Sequence, residues 1–316
     1  MSLRQSSRTA EYMAFFRALE TARPAKRRLF TDPFARHFLR PSLQRFVRLS
    51  QFPILRNFIS GYVDRRFHGA RTAAIARTIF IDEALRASLK KNIRQVVILG
   101  AGFDCRAYRL PEMSAATVFE VDHPSTHAAK LAGLRKLLTE IPAHVRFVEI
   151  DFNRQKLPEV LAQANFHSAQ PSVFLWEGVT NYLQADAVDA VLHFVASCHP
   201  GTRLIFTYIH SGILDGSASF DGADRMIREV ANMGEPWTFG FSPEHLPAIL
   251  RERGLSLRED LSLSECRDRY YGAAVAARMA GYGFYHVAVA DVVQASADAP
   301  LARMTSLQES SAISRD

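Results

Sequence analysis

A glycine-rich turn that follows a short apolar run is the most informative pattern in the sequence. Residues 96–102 read Val-Val-Ile-Leu-Gly-Ala-Gly. Gly100 and Gly102 can adopt backbone conformations that other residues avoid, so they let the chain approach a bound molecule where a buried strand ends. The dinucleotide-binding fingerprint has a third glycine, and Cys105 stands at its position here. The turn therefore predicts a site for a nucleotide that has no pyrophosphate.

Acidic residues end the next three apolar runs. Glu120 and Asp122 come about 20 residues after the glycine turn, where a carboxylate can accept hydrogen bonds from ribose hydroxyls. Asp151 and the neighbouring Phe152 suit the amino group and the ring face of an adenine. Glu177 closes the fourth run. Because the carboxyl ends of parallel strands meet at one edge of a sheet, these side chains predict a single ligand site.

Two further side chains are candidates for chemistry on a second reactant. His210 follows the fifth apolar run on the same edge, where it could act as a base or hold an anionic group. Tyr182 lies shortly after Glu177 and could orient that reactant. Each also has a purely structural interpretation, as a surface or hydrogen-bonded histidine and as a packed aromatic ring. The sequence leaves both interpretations open.

From Gln95 onward, short apolar runs alternate with helical segments. This alternation is typical of βαβ units and a mainly parallel sheet. The last two runs are close enough along the chain to pair antiparallel. We therefore predict an α/β, Rossmann-like fold of about seven strands. The predicted strands cover residues 95–99, 117–121, 145–150, 172–176, 203–208, 255–263 and 284–292, with helices such as 127–140 and 186–197 between them.

The first 94 residues are basic and helical. They contain 20 Lys and Arg against 6 Asp and Glu, whereas the other 222 residues contain 19 against 26. Such asymmetry suits nucleic acid, an anionic membrane surface, or an anionic or carrier-borne substrate, and it also occurs on solvated helices. We interpret residues 1–94 as a lid over a pocket. One predicted helix runs from Ala10, capped by Thr9, to about Thr21, and a second begins after an N-cap at Asp32. Two further helices are predicted over 42–62, with a kink or break at Pro53, and over 70–89.

Composition excludes several classes of protein. The chain has 316 residues, 48% hydrophobic and 22% charged, as in ordinary globular proteins. No run reaches the roughly 18 apolar residues of a membrane-spanning helix, and Glu11 interrupts the N-terminus before a signal-peptide core develops, so we expect a cytoplasmic protein. Three cysteines without a paired spacing argue against a disulfide framework or zinc site, and we expect no metal. We expect residues 295–316 to form a disordered tail.

Five motifs occur in the order and spacing of a known family. They are Ala76-Arg77-Thr78, Leu-Gly-Ala-Gly-Phe-Asp at 99–104, Phe-Glu-Val-Asp-His-Pro at 119–124, Ile-Asp-Phe at 150–152, and Glu-Gly-Val-Thr-Asn-Tyr-Leu at 177–183. With them the chain resembles the leucine carboxyl methyltransferase-like proteins over residues 6–292. These are class I S-adenosylmethionine-dependent O-methyltransferases, and their bacterial branch includes enzymes linked to polyketide tailoring. The resemblance implies a cofactor-binding domain at residues 95–294.

The resemblance also implies how the cofactor is held. S-adenosylmethionine has a carboxylate, an ammonium, a diol and an aromatic base, and the matching residues complement these groups in charge and shape. The implied residues are Arg77 at the methionine carboxylate, Glu177 at its amino group, Gly100 and Gly102 beside the methionine, Asp122 with Glu120 at the ribose, and Asp151 with Phe152 at the adenine.

The implied reaction moves a methyl group to a carboxylate or hydroxyl of a small-molecule or carrier-bound acceptor. The basic charge of the lid favours an anionic acceptor. A carboxylate is already ionised, whereas a hydroxyl must lose a proton, for which His210 is the candidate base and Tyr182 the orienting group. The acceptor pocket would be covered by residues 1–94 and by an insertion at about 209–242. The aromatic residues of that insertion are Phe220, Trp237, Phe239 and Phe241.

Other functions stay open at this stage. The basic first third suits a tRNA-modifying methyltransferase, because phosphate contacts dominate nucleic-acid affinity. A protein C-terminal carboxyl methyltransferase would use the same cofactor site. An NAD-dependent oxidoreductase would share the glycine turn and the acid after it, but Cys105 and the lack of a Tyr-x-x-x-Lys motif argue against it. A non-catalytic protein that retains the cofactor fold is the remaining alternative.

Overall fold

A seven-stranded sheet forms the centre of the computed structural model, which describes residues 8–151 and 154–293. The strand order is β3-β2-β1-β4-β5-β7-β6. Strands β1 to β5 run parallel, and β7 pairs antiparallel with both β5 and β6. The predicted mainly parallel sheet with an antiparallel last strand is therefore confirmed. The strands are β1 (Gln95–Leu99), β2 (Thr117–Asp122), β3 (Val145–Glu149), β4 (Ser172–Trp176), β5 (Arg203–Ile209), β6 (Leu255–Ser262) and β7 (Tyr285–Val292).

The order of the strands places a crevice between β1 and β4. From β1 the chain continues outward through β2 and β3, and it then returns to lay β4 on the other side of β1. Open α/β sheets bind ligands at such a reversal, outside the carboxyl ends of the strands. Both β1 and β4 are buried along their whole length. The residues that follow these two strands are thus held on a rigid base.

Helices cover both faces of the sheet. The helices are α1 (Arg8–Thr21), α2 (Pro41–Leu49), α3 (Pro53–Arg66), α4 (Ala70–Lys90), α5 (Arg106–Arg109), α6 (Pro124–Leu134), α7 (Leu157–Gln163), α8 (Ala185–Ala196), α9 (Gly212–Asp215), α10 (Ala223–Asn232), α11 (Leu246–Glu252), α12 (Leu263–Tyr271) and α13 (Ala273–Ala276). Among the described residues, no helix is long and apolar enough to cross a membrane.

Alternate residues of β1 belong to two different hydrophobic cores, because side chains of a strand point to opposite faces. Val96 and Ile98 pack in the core that contains α1 and α4. Val97 and Leu99 pack in the core that contains α8 and α11. The N-terminal helices therefore share a core with one face of the sheet, and this shared core fixes α4 beside the crevice.

Several helix boundaries differ from the predicted ones. Thr9 lies inside α1 and not at its cap, and its hydroxyl donates a hydrogen bond to Glu235. Asp32 accepts hydrogen bonds from two backbone N–H groups, but the turn it starts is a short 3-10 helix, Ala35–Phe38. The break expected at Pro53 is confirmed, because α2 ends at Leu49 and α3 begins at Pro53. The helix predicted over 127–140 spans Pro124–Leu134.

Candidate active site

The glycine turn after β1 has the backbone geometry that the sequence predicts. Gly100 and Gly102 have φ angles of +63° and +46°, in the region that favours glycine. A Cβ atom on Gly100 would lie 2.4 Å from Cγ2 of Val179, so no larger residue fits. The N–H groups of Gly100 and Ala101 donate to the Val121 carbonyl at 2.8 and 3.1 Å. The turn is therefore fastened to the end of β2.

Asp122 adds a side-chain link between the same two elements. Its Oδ2 accepts a hydrogen bond from the Gly102 N–H at 2.6 Å, and its Oδ1 accepts one from the His123 N–H at 2.7 Å. Each carboxylate oxygen has a further lone pair for a ligand donor. The structure thus places Asp122 at the crevice, next to the glycine turn, with capacity to bind hydroxyl groups.

Arg77 and Glu177 meet across the crevice although they are 100 residues apart in the chain. Arg77 is a buried residue of α4, and Glu177 directly follows β4. Arg77 Nε lies 2.8 Å from Glu177 Oε1, and the guanidinium lies 5.3 Å from the centre of the Tyr285 ring. A cation and an anion side by side complement an amino acid zwitterion, which carries one charge of each sign.

Arg106, which sequence reasoning missed, holds the other oxygen of Glu177. Its Nη1 lies 2.6 Å from Glu177 Oε2, and its Nε lies 2.8 Å from Asp82 Oδ1. Asp104 also pairs with Arg106, and Arg109 donates two hydrogen bonds to Asp82 at 2.6 and 2.7 Å. The only local signal for this network in the sequence is the pair of charged residues Asp104 and Arg106, shortly after the glycine turn. Their partners on α4 and β4 are distant in sequence.

These arginines keep the nearby carboxylates ionised. Burial alone would raise the pKa of Glu177, but Arg106 and Arg77 outweigh it and lower that pKa below its ordinary value. Burial acts in the same direction on Asp104, yet Arg106 and Lys130 lower its pKa to about 2. At neutral pH the crevice therefore contains a fixed negative charge at Glu177, held from behind by Arg106.

The structure gives Glu120 a different environment from the one expected. Glu120 is fully buried, its Oε2 lies 2.8 Å from Lys130 Nζ, and the same oxygen accepts a hydrogen bond from the Tyr108 hydroxyl. Burial raises the pKa of Glu120. Because its side chain is enclosed and its Oε2 is already paired, we correct its expected ribose role. Glu120 joins β2 to α6, and Asp122 is the carboxylate that faces the crevice.

Only half of the expected adenine site falls within the described residues. Asp151 follows β3, and the Ile150 N–H donates to the Asp122 carbonyl at 3.0 Å, which places Asp151 near the end of β2. The Asp151 N–H donates to Gln155 Oε1 at 2.9 Å. Phe152, the other residue expected at the adenine, lies outside the described residues.

Tyr182 belongs to an aromatic cluster beside Arg77. It lies in a 3-10 turn after β4, and burial together with the nearby Tyr285 raises its pKa to about 12. The ring of Tyr285 lies 6.4 Å from that of Tyr282 and 6.2 Å from that of Trp237. Tyr182 therefore keeps its proton at neutral pH, so it can donate a hydrogen bond but cannot act as a base.

The four aromatic residues of the insertion that were expected to line the acceptor pocket do not lie together. Trp237 lies in the cluster beside Tyr285, and Phe220 packs against Phe284 in the same core. Phe241 instead packs on Phe206 and Tyr208 on the opposite face of the sheet, with Phe239 against it. The insertion crosses the sheet edge, so its aromatic residues divide between two cores.

His210 stands at the end of β5, as predicted, but its ring is already engaged. Its Nδ1 accepts a hydrogen bond from the Gly212 N–H at 3.0 Å, and its backbone N–H donates to the Phe284 carbonyl at 2.7 Å. An imidazole that accepts at Nδ1 carries its proton on Nε2 when it is neutral. The remaining nitrogen is therefore a donor, which favours an anchoring role over that of a base.

Two solved structures share this fold. A DUF574 family protein from Streptomyces avermitilis superposes with a TM-score of 0.56 at 17% identity, covering 90% of this chain and 97% of that one. A "putative methyltransferase" from Thermobifida fusca superposes with a TM-score of 0.54 at 18% identity, covering 77% and 90%. With the seven-stranded topology, they show that the protein has the fold of the class I methyltransferases.

Sequence relatives define the family and the cofactor. The family model for leucine carboxyl methyltransferase matches residues 10–196. Two relatives carry the description "Putative S-adenosyl-L-methionine-dependent methyltransferase". One, from Mycolicibacterium gilvum, is 35% identical over 217 residues, 68% of each chain. The other, from Frankia alni, is 30% identical over 274 residues, 85% of this chain and 93% of that one. The chain belongs to the leucine carboxyl methyltransferase family, and it is an S-adenosylmethionine-dependent methyltransferase.

Proposed function

We propose that the protein is an O-methyltransferase that methylates a carboxylate of a small or carrier-bound, anionic acceptor. The observation that carries this proposal is the protonation of the two side chains expected at the acceptor, Tyr182 and His210. Because its pKa is raised to about 12, Tyr182 stays protonated at neutral pH, and His210 presents a donor nitrogen. These two side chains are donors and neither is a ready base, which suits an acceptor oxygen that is already ionised, because a carboxylate needs no deprotonation before it attacks. A hydroxyl acceptor is the weaker candidate.

The described residues fit S-adenosylmethionine, which supplies an electrophilic methyl group on a sulfonium when it is bound. Arg77 would bind the methionine carboxylate, and Glu177 would bind the ammonium. Glu177 contacts both Arg77 and Arg106. If Arg77 turned toward the ligand, Arg106 would still hold Glu177, so the negative charge would stay in place. Asp122 would accept hydrogen bonds from the ribose diol, and Asp151 one from the adenine amino group.

The aromatic cluster supports an acceptor with an extended or ring-containing apolar body, such as a polyketide or fatty acyl group. Tyr285 lies beside Arg77, and Trp237 and Tyr182 lie beside Tyr285, so an apolar group bound there would reach the cofactor site. Residues 1–94 and the insertion at 209–242 would cover it. The two segments already touch, because Thr9 of α1 donates to Glu235 of the insertion.

The chain's contribution to rate would then be alignment and exclusion of water. Direct displacement at a methyl carbon needs the attacking oxygen in line with the carbon–sulfur bond, and it needs no covalent intermediate with the protein. Tyr182 would orient the acceptor oxygen through its hydroxyl, and the covering helices would keep water from the reacting atoms.

The proposal is tested in two stages. Calorimetric titration with S-adenosylmethionine, S-adenosylhomocysteine and NAD should show micromolar binding of the first two and none of NAD. Acceptor panels with matched carboxylate and alcohol forms, assayed with methyl-labelled cofactor, should then give product from the carboxylates. Alkali releases methanol from a methyl ester and not from a methyl ether. Label that resists alkali, or transfer only to alcohols, would refute the carboxylate assignment.

A further inference from the structure

Helices α2 and α3 carry an unusually apolar exposed surface. Ile54 is 87% exposed, Phe58 74% and Phe52 59%. Seven of the twelve large hydrophobic residues that are exposed in the described part of the chain lie between positions 46 and 62. We call them the α2–α3 surface. Its members are Phe46, Leu49, Phe52, Ile54, Leu55, Phe58 and Tyr62.

The spacing of these residues makes the surface continuous. Ile54, Phe58 and Tyr62 recur every four residues, so they lie along one side of α3. Ile59 and Val63 occupy the inner side of the same helix and are buried in the core. The rings of Phe46 and Tyr62 stack with centres 6.4 Å apart and an interplanar angle of 11°, which joins the exposed faces of the two helices. Helix α3 thus has two apolar sides, and only the inner one is accounted for by the fold.

Positive charge lies on the same two helices as the exposed apolar residues. Residues 40–66 contain six arginines and one acid, Asp64, whose carboxylate lies 2.7 Å from Arg71. Arg45, Arg48 and Arg65 are exposed on the same two helices. A basic rim around an exposed apolar centre is the pattern of helices that lie in the interface of an anionic bilayer.

We propose that the α2–α3 surface docks on an anionic phospholipid membrane, with the apolar side chains among the acyl chains and the arginines at the lipid phosphates. Charge complementarity favours lipid over a second copy of this chain. A symmetric dimer through this surface would bring two arginine-rich rims together, and like charges repel. An acidic carrier protein would satisfy the arginines, but it offers no acyl layer for side chains as exposed as Ile54 and Phe58.

The position of the surface gives the docking a consequence for the site. The end of α3 contacts α10 of the insertion, because Arg66 pairs with Glu229 and Arg225 donates to the carbonyls of Arg65 and Arg66. A membrane bound at α2–α3 would therefore lie beside the segments proposed to cover the acceptor. This inference goes beyond the proposed function, and vesicle binding can be measured without any acceptor.

The test is sedimentation of the full chain with vesicles. Vesicles of phosphatidylcholine with about one-third phosphatidylglycerol should bind the protein, binding should fall as salt rises, and pure phosphatidylcholine should bind it at least tenfold more weakly. The double variant Ile54→Gln/Phe58→Gln should lose at least about tenfold in binding, because both side chains leave the acyl layer. A matched control is Leu137→Gln/Val275→Gln, which changes residues 41% and 51% exposed elsewhere and should bind as the parent does.

A second pair of variants tests the charge contribution. Arg45→Gln/Arg48→Gln should weaken binding and flatten its salt dependence, whereas Lys90→Gln/Lys91→Gln, the same charge change at the far end of α4, should have little effect. Unchanged melting temperatures would show that all variants fold. Failure to bind anionic vesicles, or binding that survives Ile54→Gln/Phe58→Gln, would overturn the proposal. A concentration-dependent dimer that the same variant abolishes would also overturn it, in favour of a self-association surface.

Discussion

The guanidinium of Arg106 lies 2.6 Å from Glu177 Oε2 and thereby joins the turn after β1 to the end of β4. The same guanidinium contacts Asp82 of α4, and Asp82 in turn is held by Arg109. A buried ion pair stabilises only when every charge in it is satisfied, and here each carboxylate has an arginine. The network fixes the charged residues of the crevice relative to one another before any ligand arrives.

Arg106→Met should lower the free energy of unfolding by about 3–5 kcal/mol, because it leaves the carboxylate of Asp104 without its arginine and takes one of two arginines from each of the buried carboxylates Asp82 and Glu177. Chemical denaturation measures this. The matched control is Arg86→Met, which breaks an ion pair with Glu112 in which both side chains are solvent-exposed, and it should cost at most about 1 kcal/mol. Equal losses for the two variants would contradict the importance of the buried network.

Glu177→Gln should weaken S-adenosylmethionine binding by about 1.5–3 kcal/mol, because a charge-assisted contact to the ammonium becomes a neutral one. Calorimetry reads this directly. A deaminated analogue of the cofactor separates the proposed contact from general damage to the site. The variant and the parent should bind that analogue with similar affinity, and an equal loss for both ligands would place Glu177 outside the ammonium site.

Asp122→Ala should weaken cofactor binding by about 1–3 kcal/mol, because ribose hydroxyls lose their acceptor in a desolvated crevice. The structure adds a second effect, since the Gly102 N–H also loses its partner. Asp122→Asn keeps one acceptor oxygen and should lose less. Titration of both variants with S-adenosylhomocysteine tests the order, and unchanged affinity in Asp122→Ala would remove the ribose assignment.

Tyr182→Phe should leave cofactor affinity unchanged and raise the KM for the acceptor, because it removes only the hydroxyl proposed to orient the acceptor oxygen. His210→Ala should lower turnover, also without a change in cofactor affinity. Both variants should keep the preference for carboxylate over alcohol acceptors, since both side chains act as donors. A His210→Ala variant that loses activity on alcohols and keeps it on carboxylates would identify His210 as a base and favour a hydroxyl acceptor.

Acid should destabilise the crevice only at low pH. The folded-state pKa values of Glu177 and Asp104 lie below their ordinary values of 4.5 and 3.8, that of Asp104 at about 2. Their contribution to stability is therefore complete above those ordinary values and is lost as pH falls through the folded values. Melting temperatures should show no effect of these groups between pH 8 and 5. The loss below about pH 4.5 should be smaller in Glu177→Gln.

The sequence alone determined the architecture and predicted which edge of the sheet binds the ligand. Alternating apolar runs and helical segments predict the parallel sheet because strand and helix periodicity are local properties of the chain. Gly100 and Gly102 were identifiable because two glycines directly after an apolar run indicate a turn with positive φ angles, and both residues have them. Asp122 was identifiable because a strand end reliably marks the edge of the sheet.

Only the tertiary structure decided which charges meet. Arg106 reaches Glu177, 71 residues away, and Glu120 turns to Lys130 in the interior, whereas two residues later Asp122 faces the crevice. The position of a residue along a strand predicts at which edge of the sheet it lies. The cation that pairs with a buried carboxylate depends instead on how the other helices and strands pack around it. The donor state of His210 likewise depends on Gly212, whose N–H the turn after β5 aims at the ring.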